Sequence, residues 1–137
     1  MISNVKPETI QSIWGQVQPM IERALKHAQG DTTSTDDIYE DIVSGDMKLW
    51  VVHDNMDVNA VIGFEIKQYP KLRVMFINFI SGKNMAEWID DAEKLLFDYR
   101  DLTGCDAIQS SSRPGMVKKL VERGWKKKAT IMEAPHV

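Results

Sequence analysis

One segment of the sequence joins an apolar run, a short glycine loop and a helical pattern, an arrangement that can bind phosphate. Residues 76–96 read FINFISGKNMAEWIDDAEKLL, and the loop between the two patterns is Ser81-Gly82-Lys83-Asn84. Backbone N–H groups at the start of a helix can hold an anion, and the helix dipole favours its negative charge. An ordinary tight turn before a helix uses the same residues, so the pattern leaves both interpretations open.

Three other side chains are candidates for proton transfer or nucleophilic attack. Glu65 lies within a predicted strand, where it is either a general base for an amine or a surface carboxylate beside Lys67. His53 ends a predicted strand next to Asp54 and is either a base or a surface residue. Cys105 needs a nearby base to act as a nucleophile, and because the sequence supplies none, we expect a buried thiol.

Positive charge is concentrated towards the C-terminal end. Arg113 follows three serines at a predicted helix start, where it either binds a phosphate or carboxylate through two N–H groups or lies on the surface. Residues 118–128, KKLVERGWKKK, hold six cations, whereas residues 36–46 are acidic and the net charge is −3. This bipolar distribution favours contacts with a protein partner over nucleic-acid binding.

Helical periodicity predicts four helices to position these residues. The first begins at Pro7, and Pro19 should kink or divide it. The second, STDDIYEDIVSGD, has Ser34 as its cap and Asp37 three residues later. The third, residues 84–103, is expected to bury Met85, Trp88, Ile89, Ala92, Leu95, Leu96 and Tyr99. The fourth, PGMVKKLVERG, is expected to turn Val117, Leu120 and Val121 inwards.

Five segments have strand patterns, namely MKLWVVHD, NAVIGFEIK, LRVMFINFI, CDAIQS and WKKKATIMEA. The predicted order is therefore α-α-β-β-β-α-β-α-β, with an antiparallel meander that leads into a β-α-β unit. This order predicts an α/β fold with one mixed, mostly antiparallel sheet and helices on both faces.

Composition limits the class of protein. A chain of 137 residues with 43% apolar and 27% charged residues fits one globular domain, residues 1–137. The single cysteine precludes an internal disulfide, and with three histidines it shows no ligand spacing for a metal. No apolar run is long enough for a membrane span, and no signal-peptide pattern is visible. We therefore expect a cytoplasmic protein without a metal.

The order of elements, the strand-loop-helix of residues 76–96 and the segment SSSRPGMVKKLVERGWKKKATIMEA resemble the GNAT family, the acyl-CoA N-acyltransferase fold. The second segment is similar to the closing helix, glycine-aromatic step and last strand of that family. MISNV stands where the family has a short first strand. The segments LWVV, EI…YP, EW and GC…R.G, in this order, resemble the small divergent GNAT-like proteins of tailed phages. The resemblance implies an acetyl-CoA site at Ile80, Ser81, Gly82, Lys83 and Asn84, with Arg113 nearby.

Two features depart from the family pattern. Working members carry Gln/Arg-x-x-Gly-x-Gly/Ala before the third helix, whereas this chain has one glycine and a shorter loop. Many members also carry an Asn before the closing helix and a Tyr within it that protonates the leaving thiolate, and these positions fall on Arg113 and Leu120. Tyr99, Cys105 and the serines 110–112 are then candidates for the acid by proximity in sequence, and Glu65 is the candidate base.

The resemblance therefore implies two functions. One is a protein that keeps the fold with an eroded acetyl-CoA motif and acts through a protein partner, as a virion component or a binder of a host factor. The other is an active acyl-CoA-dependent N-acetyltransferase on a small amine or a protein amine. In either case the expected location is the host cytoplasm or the virion. The sequence does not indicate the oligomeric state.

Overall fold

A single mixed sheet organises the residues that the computed structural model describes, 1–28 and 33–136. Five strands pair in the order β1-β2-β3-β4-β5. They are β1 (Ile2–Asn4), β2 (Lys48–Asp54), β3 (Asp57–Gln68), β4 (Arg73–Gly82) and β5 (Ala107–Ser110). The first four are antiparallel neighbours, and β5 is parallel to β4. The short N-terminal strand and the mostly antiparallel sheet are both confirmed.

Within the described part of the chain, four α-helices cover the two faces of the sheet. They are α1 (Ile10–Ala28), α2 (Thr35–Ser44), α3 (Met85–Leu102) and α4 (Pro114–Glu122). Residues of α1 and α2 form one core cluster with β2, β3 and β4, and residues of α3 and α4 form a second cluster on the opposite face. The predicted arrangement, with helices on both faces, is therefore confirmed. No helix among the described residues is long and apolar enough to cross a membrane.

The face under α1 and α2 follows the sequence pattern closely. Val17 and Ile21 are both 0% exposed, and they anchor the two halves of α1 on the sheet. Pro19 lies between them and does not divide the helix, because the apolar stripe holds both sides of it in place. The second helix begins at the predicted capping box, in which Ser34 and Asp37 each accept a hydrogen bond from the backbone of the other.

On the face under α3, one residue is less buried than the sequence pattern predicts. Trp88, Ala92 and Leu96 are buried at successive turns of the helix, whereas Leu95 is 40% exposed. Burial of Leu95 was therefore predicted wrongly. Leu95 and Leu96 are about 100° apart around the helix, and the stripe of residues four apart that contacts the sheet includes Leu96 but leaves Leu95 at its margin.

The predicted last strand was also wrong. After α4, residues 123–136 form neither helix nor strand, and all of residues 126–136 are exposed. The Arg123 guanidinium contacts Asp90 at 2.6 Å and Glu93 at 3.2 Å, and the Trp125 indole N–H donates to Glu93 at 2.9 Å. These contacts fix the residues that follow α4 against α3, and from residue 126 onwards the described chain is exposed and unpaired.

The inward face of α4 differs from the prediction as well. Met116 and Leu120, one turn apart, are 4% and 5% exposed and contribute to the core, whereas Val121 is 46% exposed. The line from Met116 to Leu120 faces the core, and Val121, about 100° further around the helix, faces away from it. Inward orientation of Val121 was therefore predicted wrongly.

Candidate functional site

The two parallel strands separate near their carboxyl ends. Strands β4 and β5 pair from Val74–Ala107 to Ile77–Ser110, after which β4 continues to Gly82 while β5 ends. The carboxyl ends of parallel strands are a common place for ligands in α/β sheets. We call the space between the ends of β4 and β5 the strand gap. It holds a cavity of about 10 Å³, lined by Ala24, Asn78, Phe79, Ile80, Ser111, Ser112, Arg113 and Met116. This volume is enough for about one water molecule.

A β-bulge in β4 marks the point of separation. Ile77 pairs with Phe64 of β3 and Phe79 pairs with Gly63, which leaves Asn78 without a partner on β3. Bulges redirect side chains and are frequent next to active sites. Asn78 is 8% exposed, and its Nδ2 donates to Glu65 Oε2 at 2.9 Å. The bulge therefore places a buried amide against the carboxylate that was the predicted base.

Glu65 lies in an acidic region that includes α2. Burial raises the pKa of Asp41 above its usual value, and the charges of Asp46, Glu65 and Asp37 raise it further. Glu65 and Asp41 are therefore close enough to interact through their charges. A cationic amine near them would be attracted electrostatically.

The connection from β4 to α3 uses much of its own hydrogen-bonding capacity. The Lys83 N–H donates to the Asn59 carbonyl at 3.0 Å, and the Lys83 carbonyl accepts the Trp88 indole N–H at 2.9 Å. Asn84 has left-handed backbone angles, and its carbonyl accepts the Glu87 N–H at 2.9 Å. Among the described residues, the first-turn N–H groups of Met85 and Ala86 have no acceptor.

Packing against β3 explains Gly82. Its φ of +154° is unfavourable for residues with a side chain, and a Cβ there would overlap Ala60 and the Asn59 carbonyl oxygen. Its neighbour Ser81 pairs with Val61 and is 1% exposed, and its Oγ has no hydrogen-bond partner among the described residues. The close approach of β3 is therefore a sufficient reason for glycine at position 82, independent of any ligand.

The predicted site residues divide between the two faces of the sheet. Tyr99 packs edge-on against Trp50 at 5.7 Å and Phe64 at 5.4 Å between ring centres, within the core beneath α3. Glu65 lies on the opposite face, the side of Val61 and α1. Arg113 precedes α4 and lines the small cavity together with Ile80. The structure thus brings Arg113, Ile80 and Asn78 together but keeps Tyr99 away from Glu65.

Three other residues singled out from the sequence have structural roles: Cys105, His53 and Leu120. Cys105 is 9% exposed, which confirms the predicted buried thiol, and its Sγ lies 3.3 Å from Thr103 Oγ1. His53 Nε2 lies 2.7 Å from Ser3 Oγ, so its ring joins β2 to β1 rather than facing the strand gap. Leu120, at the expected position of the acid, is buried in the core.

Two features of the structure were not predicted from the sequence. Asn78 was not predicted as a site residue, although a polar side chain within the apolar run of residues 74–80 was the available signal. An open groove of about 410 Å³ lies between β1 and α3, away from the strand gap, and was not foreseen because it depends on how α3 crosses the sheet. Its walls are Met1, Ile2, Val52, Glu87, Trp88, Asp91, Lys94, Leu95 and Asp98.

Solved structures that share this architecture include acetyltransferases. The chain matches a ribosomal-protein-alanine N-acetyltransferase from Brucella melitensis biovar Abortus 2308 with a TM-score of 0.70 and 12% identity, over 100% of this chain and 99% of that one. It matches an aminoglycoside acetyltransferase from an uncultured soil metagenomic sample, solved with sisomicin, with a TM-score of 0.70 and 5% identity, over 100% and 96%. A tetramutant of the BH1408 protein from Bacillus halodurans gives 0.70 and 12%, over 99% of each chain.

No protein-family model matches the sequence, and no curated protein sequence matches it. The likeness to solved structures is therefore one of architecture, at low sequence identity. The chain has the fold of the GNAT acetyltransferases.

Proposed function

We propose that this protein keeps the GNAT fold without robust acetyl-CoA-dependent activity and acts by binding a protein partner. The observation that carries the proposal is the β4–α3 connection, whose Lys83 N–H and Glu87 N–H are already bonded within the chain. The resemblance to small tailed-phage proteins favours a virion component or a binder of a host factor, in the host cytoplasm or the virion.

The free groups at this connection are few. The N–H groups of Met85 and Ala86 and the Lys83 ammonium are the donors left for a pyrophosphate, and Glu87 in the first turn opposes an anion by its charge. A hydrogen bond to a charged group contributes about 1.5–3 kcal/mol. Without two of them, binding weakens by about two to four orders of magnitude, because about 1.4 kcal/mol corresponds to tenfold.

The strand gap gives the same indication. Its cavity of about 10 Å³ has no room for the chain of an acyl thioester unless Ile80, Arg113 or Met116 moves. Leu120 also has no proton to donate to a leaving thiolate. Two separate requirements of the family's reaction, a cofactor channel and an acid, are therefore poorly met by the residues present.

An active N-acetyltransferase is the second candidate, and the Asn78–Glu65 pair is the observation that favours it. The Asn78 amide orients the Glu65 carboxylate at 2.9 Å, and the nearby Asp41 adds negative charge that attracts an amine. In this function Glu65 would accept a proton from the ammonium form of the substrate. The acyl donor would be acetyl-CoA.

A titration followed by nuclear magnetic resonance tests the proposal at the residues concerned. Acetyl-CoA is added to ¹⁵N-labelled protein, and the amide signals of Met85, Ala86 and Lys83 are followed, with Val17 in α1 as an internal reference. We expect shifts that show no saturation at micromolar acetyl-CoA. Saturation at micromolar acetyl-CoA, with the largest shifts at Met85 and Ala86, would establish the cofactor site and favour the enzyme.

A matched substitution separates the two functions further. If the protein is an acetyltransferase, Glu65→Gln should abolish thiol release from acetyl-CoA in the presence of amines, while Glu122→Gln, an exposed residue on α4, should not. We expect no amine-dependent thiol release from the wild-type protein. A rate that depends on Glu65 but not on Glu122 would contradict the proposal.

A further inference from the structure

The segment after α4 is unusually exposed for its composition. Residues 129–134, ATIMEA, contain no charge except Glu133, and they include the β-favouring residues Thr130 and Ile131. Ile131 is 91% exposed and Met132 is 85% exposed. Burial of such neighbouring apolar side chains under a strand partner is favourable, because it removes apolar surface from water. The segment therefore has the properties of a strand but no strand partner among the described residues of its own chain.

The outer edge of β5 is open in the same way. It is the last strand of the sheet and pairs with β4 on one side, so the other side has no strand partner among the described residues. Exposed edges are normally protected by lysine, proline, a bulge or an inward-pointing charge. Residues 107–110, AIQS, contain no charge and no proline, and all four are half-buried. An unprotected edge of this kind indicates that something covers it.

The chain's own segment does not cover this edge. The Trp125 backbone N–H donates to the Leu120 carbonyl at 3.0 Å, and its indole donates to Glu93, so the segment starts from a fixed point on α3. From there it runs into solvent, and β5 remains open. Residues 129–134 and the outer edge of β5 thus each lack a strand partner among the described residues, and each could serve as the partner of the other.

Charge makes a second copy of this chain the suitable partner. Lys126, Lys127 and Lys128 precede the segment, and the exposed Asp106 precedes β5. In a parallel alignment of the segment with β5, the three lysines would therefore lie beside Asp106 of the other copy. Opposite charges on neighbouring strands stabilise the pairing.

We infer that residues 129–134 of one copy pair with the outer edge of β5 of a second copy, and the reverse, in a two-fold symmetric dimer. Such an exchange satisfies the open edge on both copies and closes the assembly. It also adds a sixth strand to the sheet, on the side of β5 that faces away from β4. The inference does not depend on whether acetyl-CoA binds.

A proline substitution in the segment tests the exchange on the full chain. Proline removes one backbone N–H and fixes φ at about −65°, well away from the extended angles of a paired strand. Thr130→Pro should therefore convert the dimer to a monomer, with an increase of more than about tenfold in the dimer dissociation constant. The matched control Thr130→Val keeps the N–H group and should keep the dimer. Mass is measured by light scattering after size exclusion, and circular dichroism should show that the subunit is folded in the same way in both variants.

Hydrogen exchange on the same samples distinguishes the remaining outcomes. In the wild-type dimer, the amides of residues 129–134 and 107–110 should exchange slowly, and both should exchange faster in Thr130→Pro. A wild-type monomer at every concentration would overturn the inference, whether its segment is protected by its own β5 or is not protected. A dimer that Thr130→Pro leaves intact would also overturn it, because another surface would then form the contact.

Discussion

The most exacting prediction on the fold compares two adjacent leucines of α3. Leu96 is 2% exposed beneath the helix, whereas Leu95 is 40% exposed and faces the open groove beside β1. Leu96→Ala and Leu95→Ala make the same chemical change, with the same effect on helix propensity. Any difference in the free energy of unfolding therefore reports on burial alone.

The expected magnitudes follow from these environments. Leu96→Ala removes apolar surface and leaves a sealed cavity, which costs about 2–5 kcal/mol. Leu95→Ala leaves a space that is open to the groove, so only the transfer part of the cost applies, about 1 kcal/mol. A difference of about 2 kcal/mol corresponds to roughly 7 °C in melting temperature for a chain of this length.

Urea unfolding measured by circular dichroism gives both values directly. All samples must have the same protein concentration, because self-association would make the apparent stability depend on it. The burial assignment of α3 would be refuted if Leu95→Ala cost as much as Leu96→Ala or more.

The remaining predictions concern the loop, two carboxylates and the lysines. Gly82→Ala should destabilise the protein by more than about 2 kcal/mol because its Cβ overlaps β3; a neutral effect in urea unfolding would contradict this packing. Burial alone would raise the pKa of Glu93, but hydrogen bonds from Arg123 and Trp125 outweigh it and lower the pKa. The contribution of Glu93 to the free energy of unfolding is therefore fully present above the ordinary carboxyl pKa and is lost as the pH falls through the lower pKa of the folded state. Glu93→Gln should reduce the free energy of unfolding at pH 7 and make it depend less on pH in the acid range. Burial raises the pKa of Asp41, which makes its charged form unfavourable in the folded state, so Asp41→Asn should increase the melting temperature at pH 7 but not at pH 3. Changing Lys126, Lys127 and Lys128 to Gln should leave the stability of the monomer within about 0.5 kcal/mol per site, as measured on the Thr130→Pro background.

Features that depend on local pattern were predictable from the sequence. The four helices, the three long strands and the Ser34–Asp37 cap follow from periodicity and from residues a few positions apart. The parallel pairing of β5 with β4 followed from the usual geometry of a β-α-β unit once the strands were identified. These predictions succeeded because the residues that decide each element lie within that element.

Features that depend on contacts between distant residues were not predictable. The bulge at Asn78 depends on the register of β4 against β3, and the engagement of the Lys83 N–H depends on Asn59, far away in sequence. The last strand failed for a similar reason, since ATIMEA has a strand pattern but the sequence does not specify where its partner lies. The predicted burial of Leu95 was wrong because the apolar stripe of α3 is wide, and the packing of the helix on the sheet decides which residues at the margin of the stripe are covered.

Calorimetric titration of the wild-type protein with acetyl-CoA tests the central claim most directly. The claim is that the chain keeps the GNAT fold while the β4–α3 connection holds the cofactor's phosphates poorly. It predicts a dissociation constant in the millimolar range or weaker, which Lys83→Ala changes by less than about tenfold. A dissociation constant in the low micromolar range, weakened more than about tenfold by Lys83→Ala or Arg113→Ala, would contradict the claim and identify the protein as an acetyl-CoA-dependent enzyme.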